Sequence, residues 1–291
     1  VGAEALRRFA YDDEFCARVD ANHAEGVRRM TAVADKALKK EYSNEEAAAL
    51  VKEFDEAFYY AAMWGTVISA IEYGESQLAH ELVTYLARVA PQRNANELLE
   101  TLAYCEEKTL IQQERAELLA LLGEFNTTGA ESVFAKPAAE GLALLKKDFS
   151  ALAEKLAAHS RKWIWIAYSY TGTALDEAYF FTVLKDAFTL GESVAALEKK
   201  NAQALAKRKE LEQALSPLID EEHARLMRVA RIQPFLKAKR NEAMYECDYA
   251  FDELLKPFAE RVGVGVHALR FLLPSELIKA LRSGSVDEKL I

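Results

Sequence analysis

The stretch GVGVHA at residues 263–268 sets Gly263, Gly265 and Ala268 in the G-x-G-x-x-G/A spacing of a dinucleotide-binding turn. Asp287 follows about 20 residues later, where such a fold uses an acid to hold a ribose hydroxyl. The chemistry would be pyrophosphate binding, with the glycines letting backbone N–H groups approach the phosphates at a helix N-terminus. It requires a buried strand before the turn and a further helix and strand after it. The preceding FDELLKPFAERV instead carries Phe251, Leu254, Leu255 and Phe258 as a helix stripe, and only residues 269–291 remain to follow. The expectation is therefore that Gly263 ends one helix in the left-handed conformation and VGVHALRFL starts the next.

Two Asp-x-x-His pairs, Asp20 with His23 and Asp220 with His223, share helix faces at i and i+3. Helical di-iron bundles use a related Glu-x-x-His pair on two of their helices. The shorter Asp stem reaches a bundle-centre metal less well, and the flanks RVDANHAEGVRR and IDEEHARLMR read as surface helix polarity. No metal ligand is assigned. A G-x-S-x-G turn and a phosphate loop of the G-x-x-x-x-G-K-[ST] type are both missing from the sequence. Catalytic and cofactor-binding residues are likewise assigned to none of the 291 positions.

The aromatic stretch KWIWIAYSY has the residue types of a base-stacking platform. In an acidic chain, Trp163, Trp165, Tyr168 and Tyr170 read instead as core or inter-helix packing, and so do Tyr59, Tyr60 and Trp64. The alternation of Trp163, Trp165 and Ala167 with Ile164 and Ile166 hints at a short extended segment near 163–170. The basic stretches KALKK (36–40) and LKAKR (236–240) read as solvated helix faces.

These residues have to be positioned by helices. Phe15, Val19, Val27, Met30, Val33 and Leu38 recur at three- and four-residue steps, the spacing of one buried stripe. SNEE at 43–46 spells a capping box ahead of a long helix to Gly74, followed by a helix over about 75–89 that stops at Pro91. Asn94 or Asn96 caps the next. Helices are also expected over about 138–160, from an Asp176 cap, over 193–215, and from Ser216 and Pro217 onward with an interruption or kink at Pro234. The loop NTTGAESVFAKP (126–137) is the clearest polar break. It is taken as a boundary between a subdomain of residues 1–125 and one of residues 138–291.

Composition agrees with an all-α, multi-helix bundle of long antiparallel helices: the chain has only 12 Gly and 6 Pro, where parallel-sheet enzymes need many turn glycines. The formal charge of -9 offers no overall positive field for nucleic acid or anionic lipid. Cys16, Cys105 and Cys247 form neither a disulfide framework nor a metal pair, which points to the cytoplasm. No apolar run reaches the ~18 residues of a membrane span. A chain that starts VGAEAL and ends VDEKLI is expected to be a piece of a longer polypeptide.

HSRKWIWIAYSYTGTALDEAYFFTVLKDAF, followed some 50 residues later by PFLKAKRNEAMYECDYAFDELLKPFAERVGVGVHALRFLLPSELIKALRSGSVDEKLI, resembles the helical region of phosphoenolpyruvate-utilising enzymes of the phosphoenolpyruvate synthase and pyruvate phosphate dikinase type. The likeness covers roughly residues 155–291 and, weakly, the first half. It implies a helical linker or platform of a kinase-type phosphotransferase, not catalytic alone. Its partners would be flanking ATP-grasp and phosphohistidine domains of the same polypeptide, with ATP and Mg serving the full-length enzyme. None of His23, His80, His159, His223 and His267 sits in the Gly- and Thr-rich turn that carries the phosphohistidine in that family, so no catalytic residue is carried over. The alternatives are a free-standing helical scaffold or interaction domain and a metal-binding helical bundle.

Overall fold

The computed structural model describes residues 2–169, 172–287 and 289, and over 71–76 only the backbone. In chain order the α-helices are α1 (Gly2–Tyr11), α2 (Asp13–Ala37), α3 (Asn44–Val89), α4 (Ala95–Leu102), α5 (Leu110–Thr128), α6 (Ala138–Asp148), α7 (Ser150–Trp163), α8 (Glu177–Thr189), α9 (Val194–Leu215), α10 (Glu221–Val262), α11 (Val266–Arg270) and α12 (Pro274–Ser283). A 3₁₀ turn at Ala130–Ala135 separates α5 from α6. Among the described residues there is no strand, and the fold is an all-α multi-helix bundle. No described helix is long and apolar enough to cross a membrane.

The chain divides into two compact units: Val1–Glu72 with Ala167–Thr173 and Leu236–Ile291, and Tyr73–Ile166 with Ala174–Phe235. Residues 126–137, the expected boundary, lie inside the second unit. The borders at 72/73 and 235/236 fall within α3 and α10.

In the first unit, local signals start the helices and one apolar face packs them. The Asp12 carboxylate accepts from the Phe15 amide at 2.9 Å and starts α2. The capping box at α3 forms as spelled: Glu46 Oε2 accepts from the Ser43 amide at 2.9 Å, and Ser43 Oγ from the Glu46 amide at 3.4 Å. Asn22 meets Tyr60 and Lys36 meets Glu53, so α2 and α3 run antiparallel. Phe54 meets Phe251 edge-on at 5.1 Å and Asn44 meets Arg261, so α3 and α10 do too.

Small residues let the helices close up. A Cβ on Gly26 would lie 2.9 Å from the Ala61 Cα, so α2 and α3 touch backbone to side chain at that point. Met30, Val33, Leu50, Val51, Phe54, Leu254, Leu255 and Phe258 fill the space between, all buried. Each such side chain contributes roughly 1.5–3 kcal/mol when fully buried.

α10 ends as the sequence predicts. Gly263 has φ +69°, the Val264 amide donates to Ala259 O at 3.0 Å, and the Gly263 amide donates to Glu260 O at 3.4 Å. These are the two bonds of a Schellman stop. Pro274 then opens α12, with Glu276 Oε2 accepting from the Leu273 amide at 2.8 Å. Asn44 Nδ2 donates to Leu281 O at 2.8 Å and ties α12 to the start of α3.

In the second unit Asn94 caps α4, Thr109 and Gln112 make a capping box on α5, and Asp176 and Ser193 cap α8 and α9. Lys155 pairs with Glu124 and Lys162 with Glu117, so α5 and α7 run antiparallel. Phe125, Phe134 and Phe181 pack in series with ring centroids 5.2 and 5.5 Å apart.

Several local expectations change. The helix expected to end at Gly74 continues to Val89. The helix expected over 138–160 breaks at Phe149, whose φ of −133° and ψ of 53° leave the helical region. Residues 216–219 turn, and α10 starts from Asp220 and continues through Pro234. No extended segment forms over the described part of 163–170. Trp163 ends α7, and the Ile166 amide donates back to Trp163 O at 3.0 Å. Trp163, Trp165 and Ile166 are all buried, so the alternation does not mark one wet and one dry face. Tyr59, expected in the core, is 73% exposed, while Tyr60 and Trp64 are half-buried. Tyr170 and the tail positions Glu288, Leu290 and Ile291 lie outside the described residues.

Candidate functional site

The strongest polar constellation in the first unit is built by Tyr168, Asp248, Asp252 and Arg270. Asp248 and Asp252 lie one turn apart on α10, and Arg270 ends α11 after the Gly263 stop has reversed the chain. Arg270 Nη2 stands 2.8 Å from Asp248 Oδ1, and Nε stands 3.2 Å from Asp252 Oδ1. The Tyr168 hydroxyl donates to Asp252 Oδ2 at 2.5 Å, and its ring meets Tyr249 edge-on at 5.4 Å. Gly172 lies on the same ring, where a Cβ would come within 2.6 Å of the ring carbons. Asp252 is 3% exposed and Tyr168 6%.

Burial, and then the Asp252 carboxylate, push the Tyr168 phenol well above its ordinary range, so it remains a donor. Burial pushes Asp248 up to about 6, against the pull of Arg270. Arg270 and Asp248 also line a cavity of about 280 Å³ walled by Phe54, Phe58 and Phe251. One guanidinium thus pairs with two carboxylates, and a phenol donates to one of them. The arrangement fixes a loop, a helix end and a long helix to one another.

The residues singled out by spacing are used differently. His23, read as surface-polar, is 4% exposed and its Nε2 has no hydrogen-bond partner. Burial first, and then Arg240 and Lys239, push it down to about 4. Asp20 accepts from the Cys16 thiol at 3.8 Å. In the second unit Asp220 caps α10, accepting from the His223 amide at 2.9 Å and from ring Nδ1 at 2.7 Å. These bonds hold Asp220 down to about 2. The His223 ring stacks on Tyr85 at 3.5 Å. Among the described residues no group of three His, Cys, Asp or Glu side chains is placed to hold a metal ion. His80 and His267 are exposed. His159 is buried with its Nε2 2.9 Å from Glu114 Oε1, and its ring meets Phe180 edge-on. Spacing could not have paired them across 45 positions.

No family model matches the chain, and neither does any curated protein or solved structure.

The Tyr168 constellation had one readable signal. Asp248 and Asp252 continue the stripe of Leu255 and Ala259 at steps of four, three and four, so a carboxylate at Asp252 falls on a core-facing position. A carboxylate at such a position demands a partner. Which residue supplies it is not written in the spacing.

Proposed function

We propose that the chain is the helical platform of a phosphoenolpyruvate-utilising phosphotransferase of the phosphoenolpyruvate synthase type, and that phosphoryl transfer occurs in flanking domains of the same polypeptide. The reading rests on the two stretches that carry the resemblance. They lie far apart in sequence, and Tyr168 from the first is joined to Asp252 and, through it, to Arg270 of the second. A buried tie between one residue of the first stretch and two of the second is what a supporting element requires, because these parts have to be present together.

Neither the glycine turn nor the Asp248–Asp252 pair is offered as a site for ATP or Mg. The glycine turn at 263–265 is a helix stop, and Asp248 and Asp252 are both bound to Arg270. The chain's own contribution is mechanical. The first unit packs helices such as the 25-residue α2, about 37 Å long, with few internal breaks, and domain movement elsewhere in such an enzyme needs a fixed body to swing against.

A second reading, a free-standing interaction domain, is favoured by Phe271 and Leu273, which are 88% and 62% exposed beside the turn between α11 and α12. The encoding gene separates the two. A downstream Gly- and Thr-rich segment with a histidine, together with an ATP-grasp segment, supports the platform; a stop codon directly after residue 291 with no ATP-grasp partner sinks it.

A further inference from the structure

We propose that the cleft between α2, α3 and α10 in the first unit binds a small amphipathic oxyanion, a carboxylate or phosphate monoester with an apolar body, whose head is held by Arg240. The cleft encloses about 250 Å³ and is lined by Met30 of α2, by Phe58, Ala61, Gly65 and Ser69 of α3, and by Arg240 of α10. Ligand cavities for drug-sized molecules run roughly 300–1,000 Å³, so the occupant is small.

Arg240 is held in place by neutral groups. Its Nη1 donates to Gly65 O at 3.0 Å and to Ser69 Oγ at 2.8 Å, and Nη2 donates to Asn241 Oδ1 at 3.3 Å. Its Nε is buried and has no partner. No carboxylate among the described residues stands within ion-pair distance of this guanidinium, whereas Arg270 in the same unit has two. Five N–H donors are available on a guanidinium and three are used here, which leaves Nε–H and one Nη2–H. The guanidinium charge and the second Nη2–H are what remain for an oxygen of a carboxylate or phosphate.

After burial, Arg240 and Lys239 both disfavour a charge on His23, which places the two cations close to that neutral imidazole. The Ser69 hydroxyl accepts from Arg240 and keeps its own proton to donate. Gly65 makes the arrangement possible: a Cβ there would fall 2.8 Å from Arg240 Cδ and 3.3 Å from Nη1. The reading of LKAKR as a solvated face holds for Lys239, which is exposed, but not for Leu236, which is buried, or for the half-buried Arg240. Met30, Phe58, Ala61, Ala62 and Met244 give the rest of the cleft an apolar wall, which is why a bare inorganic ion uses only part of it.

This inference is independent of the phosphotransferase reading. It is tested on the chain of residues 1–291 by calorimetric titration with phenyl phosphate, phenylacetate, inorganic phosphate and, as a neutral control, benzyl alcohol. The expected result is saturable 1:1 binding of phenyl phosphate or phenylacetate, the tighter of the two naming the head group, with inorganic phosphate and benzyl alcohol at least tenfold weaker. Arg240→Met is expected to lose at least tenfold in affinity. Gly65→Ala, which keeps the arginine but displaces it, is expected to lose affinity in the same direction, with both variants checked for native circular dichroism. An unfolded variant is replaced by Ser69→Ala, which removes one anchor of Arg240 and is expected to weaken binding several-fold. Absence of binding by both aromatic anions, equal binding of benzyl alcohol, or undiminished binding by a folded Arg240→Met protein overturns the proposal. Inorganic phosphate binding as tightly as phenyl phosphate overturns the assignment of the apolar wall.

Discussion

Tyr168 and Asp252 are 84 positions apart in the chain and are joined by a 2.5 Å hydrogen bond in which the phenol donates to Oδ2. Because Asp252 is buried and also faces Arg270, the bond closes a three-residue tie between a connecting segment, α10 and α11.

Removal of single members of this tie has graded consequences. Tyr168→Phe deletes one hydrogen bond to a charged group and is expected to cost about 1.5–3 kcal/mol. Arg270→Met leaves two carboxylates without their cation and is expected to cost more, about 3–5 kcal/mol. Urea unfolding followed by tryptophan fluorescence and circular dichroism ranks the two. A smaller loss for Arg270→Met than for Tyr168→Phe would contradict the assigned roles.

Stability is also expected to depend on pH in a defined direction. Glu246 on α10 faces Asp35 and Thr31 of α2, and burial, reinforced by Asp35, pushes it up to about 7. Asp248 is pushed up to about 6. Both groups bind their proton more tightly when folded than when unfolded, so each destabilises the fold as pH rises from about 4 through its folded value. Glu246→Gln is expected to be about 1–3 kcal/mol more stable than the parent at pH 8 and equal to it at pH 4. Denaturation midpoints at the two pH values provide the check, and a gain at pH 4 as large as that at pH 8 refutes the account.

The two glycines of GVGVHA are predicted to behave oppositely. Gly263 has φ +69°, whereas Gly265 sits at φ −66°, and neither has a heavy atom within 4 Å of a built Cβ. Gly263→Ala therefore costs about 1–2 kcal/mol from backbone strain alone. Gly265→Ala is neutral or stabilises by about 0.4–1 kcal/mol. Thermal unfolding of the two variants measures the difference, and equal effects contradict the helix-stop reading.

In the second unit, His159→Phe leaves the Glu114 carboxyl buried without its partner and is expected to cost about 1–3 kcal/mol. Adding Glu114→Leu is expected to recover part of that loss, because an apolar pair of similar volume needs no partner. A double variant less stable than the single one goes against a partnered buried dyad.

What the sequence disclosed was local. The Ser43–Glu46 box, the Asn94 and Asp176 caps and the left-handed Gly263 are each set within a few residues, and all four appear in the structure. The all-α class followed from stripe periodicity and scarce glycine. Partners brought together by folding were not legible: Glu114 with His159, Tyr168 with Asp252, Arg240 with Gly65 and Ser69. Each pair joins groups 45 or more positions apart, and helical spacing carries no information at that range. For His23 the spacing did carry the answer and its neighbours misled. The polar letters around it predict an exposed face, yet it falls on the buried stripe of Val19, Gly26 and Met30.

The platform reading is tested most directly by phosphoryl labelling of the full-length gene product with ATP labelled at both the β and γ positions, followed by peptide mapping. The account predicts an acid-labile phosphohistidine in a segment outside residues 1–291, and no label on the isolated chain. An acid-labile label mapped to a histidine within residues 1–291, or a full-length product that takes up no label, would contradict it.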